Sequence, residues 1–170
     1  NKGYKSCAFV FGNYGVDFAV SYLGIPEERI IKISNFLGFM LNKACEYGIE
    51  RILLSGHMGK LVKAAGGIFH THSRVADARM EILAAYAGLE GASTCVMHRI
   101  YSCKTTTEAS SVIDAEGLHK VYKRIAVNAS RKCTDYTYGK VLTGTVLFNE
   151  ENRLLYMDKI ADGIIKELKK

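Results

Sequence analysis

Short apolar blocks alternate with stretches of helical period through the first 65 residues. "SCAFVF" (6–11) is a nearly unbroken apolar run ending at Gly12, the pattern of a strand buried on both faces. "RIIKIS" (29–34) and "ERILLSG" (50–56) repeat that pattern, with β-branched residues at 30, 31 and 33. Between them, "VDFAVSYLG" reads as a helix closed by Gly24. "FLGFMLNKACEYG" carries apolar residues at 36, 37, 40, 41 and 44, a helical repeat that Ser34 or Asn35 can cap. "KLVKAAGG" starts a further helix that stops at a double glycine. This alternation predicts an α/β fold with a three-layer parallel-sheet core. Its strands lie near 7–11, 29–34 and 50–55, with right-handed crossovers and helices on both faces.

The pattern then changes. "VADARMEILAAYAGL" places Ala76, Met80, Leu83 and Ala87 on one stripe, so a helix is expected from Arg74 with Ser73 as its N-cap. Asp77 would then stand in the first turn, paired with Arg74. Further helices are expected over 92–101, 106–115 and 117–133. "GTVLFNEENRLLYMD" alternates about the turn "NEEN" and predicts a β-hairpin, and "KIADGIIKELKK" a closing amphipathic helix. Neither a repeat nor a linker interrupts the chain, so residues 1–170 read as one domain. Starting at Asn1 directly in strand-like sequence, it reads as a piece of a longer protein.

Charge sharpens this picture. The chain carries +6, and residues 29–74 hold seven Lys or Arg against only Glu46 and Glu50. The excess therefore lies with the glycine- and histidine-rich turns and points to an anionic ligand rather than a generally basic surface. No long basic stripe with aromatic residues suggests nucleic acid, and no apolar run approaches a membrane span. Five cysteines, an odd number without CxxC spacing, indicate neither a disulfide framework nor a zinc ribbon; the cytoplasm is the simplest setting.

In open parallel sheets, ligands bind beyond the carboxyl ends of the strands. Three polar turns arrive there: "GNYG", "SNF" and "GHMGK". The last is not a Walker loop, because residue 54 is Leu and residue 61 is Leu. "GNYG" is not GxGxxG, and no acidic residue closes the second strand, which disfavours a nicotinamide dinucleotide. His70 and His72 in "HTHS" could be metal ligands, but no second tight pair accompanies them, so no protein-held metal is expected. The alternative is a loop residue at 70 and a backbone-bonding imidazole at 72. His57 is the better acid–base candidate. Lys60, Lys63 and Arg74 form either an ordinary solvated face or a clamp for carboxylates.

Taken together, "GNYG", "KISNFLGFML", "SGHMGKLVKAAGGIF" and "HTHSRVADARMEIL" closely resemble the C-terminal half of the CbiD family, the cobalt-precorrin-5B (C-1)-methyltransferases. The match is near-continuous from Gly12 to about Ala92. It implies S-adenosyl-L-methionine as methyl donor and a polycarboxylate corrinoid as acceptor, the cobalt being carried by the substrate. It also implies an additional N-terminal domain, of which this chain has nothing, as a partner; a second copy of the chain is a further candidate. On this resemblance His57, His72 and Asp77 are the candidate catalytic residues. Gly12, Asn13, Tyr14, Gly15, Ser34 and Asn35 would hold the donor. Lys60, Lys63, His70, Ser73 and Arg74 would hold the substrate. The alternative is a non-catalytic anion- or nucleotide-binding α/β module.

Overall fold

A computed structural model describes residues 3–170. Its centre is a five-stranded sheet with β1 (Ser6–Val10), β2 (Ile30–Lys32), β3 (Arg51–His57), β4 (Leu142–Phe148) and β5 (Leu154–Met157). The spatial order is β2-β1-β3-β4-β5. The first four strands are parallel, and β5 turns back antiparallel on β4. The α/β class expected from the sequence is present, with strand limits shifted by one or two residues.

The central strands are mostly apolar on alternate as well as successive positions because both faces are covered, with Ser6, Ser55, Thr143 and Thr145 as buried polar exceptions. Cys7 and Phe9 of β1, Ile52 and Leu54 of β3 and Leu147 of β4 belong to one core. The alternate residues Ala8, Val10, Leu53, Val146 and Phe148 belong to the other. The larger core packs α2 (Leu37–Glu46), α3 (Met58–Ala65), α4 (Arg79–Leu89), α5 (Thr94–Tyr101), α6 (Thr106–Ala115) and α7 (Lys120–Tyr136). The smaller takes α8 (Lys159–Leu168), the π-helical turn Phe18–Tyr22 and the helix before it, α1 (Gly12–Asp17). Phe18 stacks on Phe148 at 4.2 Å between centroids. Fully burying one such side chain is worth roughly 2 kcal/mol.

Gly144 lets α8 reach the sheet. A Cβ there would lie 2.4 Å from the Ala161 backbone nitrogen, a clash with main chain that no rotamer relieves. The predicted hairpin is present, and its first strand is a full member of the parallel sheet, matched to β3 from Arg51↔Leu142 to His57↔Phe148. Its turn therefore emerges at the same carboxyl edge as the turns after β1, β2 and β3.

Three local expectations are corrected. "GNYG" is no open turn but the first turn of α1, whose N-cap is Phe11. Neither Ser34 nor Asn35 caps α2; Phe36 occupies that position without a side-chain bond, while Ser34 adopts a left-handed conformation (φ 49°). The helix expected from Arg74 starts only at Arg79, with Ala78 as N-cap, so Ser73 caps nothing. Residues 69–71 are instead drawn across the loop after β2. Gly38 N–H donates to the Phe69 carbonyl (3.0 Å), Thr71 N–H donates to the Asn35 carbonyl (2.9 Å), and Phe36 forms an antiparallel bridge with His70. Those tertiary bonds fix the chain just ahead of the expected helix start, and residues 73–75 close a turn on the His72 carbonyl instead.

Candidate functional site at the carboxyl edge of the sheet

His57 ends β3 and caps α3. The Gly59 N–H donates to its Nδ1 at 3.2 Å, so Nδ1 is the unprotonated nitrogen and in the neutral ring Nε2 carries the proton. Burial pushes the imidazole pKa below its ordinary value. The charges of Lys60 and Arg79 push the same way, and Glu150 pulls against them.

One turn on, α3 carries Lys60 and Lys63 on one face. The Lys60 ammonium donates to Asn35 Oδ1, which also accepts from the Thr71 hydroxyl at 3.3 Å. Lys63 is 2% exposed, with its ammonium on the Thr71 carbonyl (3.2 Å) and 3.9 Å from Asp77. Burial depresses the pKa of both lysines. Lys63 and Arg79 depress that of Lys60 further, whereas Asp77 partly restores that of Lys63. Arg79 completes the group. Its Nε and Nη2 each lie 2.7 Å from an Asp77 carboxylate oxygen, a two-pronged pair that holds the Asp77 pKa below the usual carboxylate range. Two of these cations thus face the Asp77 carboxylate, and Lys60 lies near enough to feel the charges of both.

On the other side of His57 the surroundings are different. A cavity of about 390 Å³ is lined by Tyr14, His57, Phe148, Asn149, Glu150 and Asn152. A second, of about 240 Å³, shares His57, Asn149 and Glu150 and runs toward Thr106, Ser110 and Arg153.

A family model described as CbiD, C-terminal domain, matches residues 70–159, more than half of the chain. The chain belongs to the CbiD family. It is 43% identical over 165 residues to the cobalt-precorrin-5B C(1)-methyltransferase of Alkaliphilus metalliredigens, covering 97% of this chain and 44% of that protein. Similar matches are the proteins of the same name from Desulfitobacterium hafniense (41%; 97% and 43% covered) and Thermoanaerobacter sp. (46%; 82% and 38%). The chain therefore spans less than half the length of these curated relatives. No solved structure matches it.

Within this CbiD domain the residues singled out in the sequence divide into distinct groups. Lys60, Lys63, Asn35 and Asp77 come together. His57 lies between them and Tyr14. Asn13 turns to Lys32, whose ammonium donates to its Oδ1 at 3.0 Å. His72, Ser73 and Arg74 are exposed; the Arg74 N–H donates to His72 Nδ1 (3.2 Å), which makes His72 the backbone-bonding imidazole of a turn. Asp77 pairs with Arg79 rather than with Arg74. His70 packs edge-on against Phe36 at 5.1 Å, with its Nδ1 buried and unpartnered. Among the described residues no group of three His, Cys, Asp or Glu could hold a metal ion, and no helix is long and apolar enough to cross a membrane.

Two contributors escaped the sequence reading. Arg79 stands in the quoted "VADAR", and only the assumption of a helix from Arg74 hid its pairing with Asp77. The hairpin turn at 149–152 carried no local signal beyond its polarity, because its place depends on β4 pairing with β3.

Proposed function

We propose that this chain is the C-terminal part of an S-adenosyl-L-methionine-dependent methyltransferase that acts on C-1 of cobalt-precorrin-5B in corrin-ring biosynthesis, in the cytoplasm. The observation that carries the reading is the family membership of residues 70–159, the segment that brings Asp77 and Arg79 to the lysines of α3. The relatives' shared name supports the substrate, a macrocycle bearing many carboxylates.

Lys60 and Arg79 would hold those carboxylates, with the buried Lys63 adding its charge from behind, and Asp77 would fix the angle at which Arg79 presents its remaining N–H groups. His57 would offer Nε2–H to the acceptor. With Nδ1 committed to Gly59, it serves as a hydrogen-bond donor and positioning group rather than a base. S-adenosyl-L-methionine would supply an electrophilic methyl group from its sulfonium. Alignment of carbon, methyl and sulfur then matters more than proton transfer. The region by which the relatives exceed this chain would form the rest of the pocket.

The test is transfer of labelled methyl from S-adenosyl-L-methionine to cobalt-precorrin-5B by the protein at its relatives' full length. Turnover that falls at least tenfold in Arg79→Ala is expected. A full-length protein that transfers no methyl group overturns the reading.

A further inference from the structure

The two ligands of the proposed reaction carry opposite charge, and the two sides of His57 do too. The acceptor is a polyanion. The donor has a sulfonium, a cation that no change of pH removes, and it cannot share ground with Lys60, Lys63 and Arg79 without repulsion.

Across the imidazole from those cations lies the 390 Å³ cavity, within the usual size range for a small-molecule site. Its lining includes Tyr14, 71% exposed, and Glu150, also exposed, over the buried Phe148. Aromatic faces and a carboxylate both attract a compact organic cation. Beneath it, on the sheet face that carries Val10, Val146 and Phe148, Ser55 is fully buried with its hydroxyl unpartnered, two residues before His57. His57 feels both fields, since Glu150 acts on it with the sign opposite to Lys60 and Arg79.

We infer that the methyl donor occupies the cavity between Tyr14 and the hairpin turn, with Glu150 as counter-charge to the sulfonium, while the corrinoid carboxylates lie across His57 at Lys60 and Arg79, backed by the buried Lys63. This rests on the methyltransferase reading and divides the donor residues expected from the sequence. Tyr14 stays on the donor side. Asn35, bound to Lys60, belongs to the acceptor side.

The experiment compares S-adenosylmethionine with S-adenosylhomocysteine, which differ by the methyl group and the sulfonium charge, by calorimetric titration of the full-length protein. Glu150→Gln should weaken S-adenosylmethionine about threefold, as befits an exposed pair, and leave S-adenosylhomocysteine unchanged. Tyr14→Ala should weaken both, about fivefold for the charged ligand. Lys60→Gln should not weaken either. Equal losses for both ligands in Glu150→Gln, or no loss in either Glu150→Gln or Tyr14→Ala, would place the donor elsewhere and leave the methyltransferase reading intact. A wild-type protein that binds neither ligand removes the donor reading itself.

Discussion

Asp158 and Asp77 are both carboxylates in polar networks, and they do opposite things. Asp158 is 5% exposed and caps α8. It accepts from the Ala161 N–H (2.7 Å), the Thr145 N–H (3.1 Å) and the Ser130 hydroxyl, which itself lies 2.8 Å from Thr145 Oγ1. These donors are neutral groups of the chain, and the α8 N-terminus offsets the charge. That network is closed. Around Asp77 one carboxylate serves Arg79 and Lys63, with Lys60 close by, so positive charge is left over at a solvent-facing edge. A saturated network fixes the fold, and one left with surplus charge attracts a ligand of the other sign.

Breaking the closed network should have the largest effect. Asp158→Ala removes a helix cap and leaves buried donors without an acceptor, which should cost about 3 kcal/mol in chemical denaturation. An unchanged denaturation midpoint would refute the anchor role. Breaking the open one should spare the fold and affect binding. Lys63→Met keeps the buried stem and Asp77 keeps Arg79. Stability should then move by less than about 1 kcal/mol, while affinity for a cobalt corrinoid polycarboxylate such as cobyrinic acid falls about tenfold. A variant that is clearly destabilised but still binds normally would make Lys63 a second Asp158.

The smallest effect is a pH dependence at the boundary between the two fields. His57 has a folded-state pKa below its ordinary 6.5, so between those values the unfolded chain binds more protons. Its contribution to stability is complete above pH 6.5 and is lost as the pH falls through the lowered value, when protonated Nδ1 can no longer accept from Gly59. His57→Gln should flatten that limb of the stability curve. A ring-proton NMR titration with midpoint at or above 6.5 would reject the assignment.

The layered core and the three parallel strands were legible because burial on both faces leaves a mark on successive residues of a strand: Phe9, Val10, Leu53 and Leu54 are all apolar. The segment 73–78 was misread for a reason equally physical. Ser73 and Asp77 fit a helix start, but the antiparallel bridge at Phe36–His70 and the buried Lys63 ammonium on the Thr71 carbonyl outweigh that local preference. Pairing of β4 with β3 joins residues some ninety positions apart, and nothing in "GTVLF" names its neighbour. Half of the site followed from the sequence for that reason. The lysines of α3 were found from their spacing, whereas Glu150 is near His57 only through that long-range pairing.

Because β4 is hydrogen-bonded on both edges, the base of the turn it feeds into is fixed. Displacing that base would mean tearing a strand out of the middle of the sheet, an opening as costly as global unfolding. Whatever enters between Tyr14 and that turn must fit a slot already cut to shape, and its arrival should be limited by diffusion and orientation rather than by waiting for a gate.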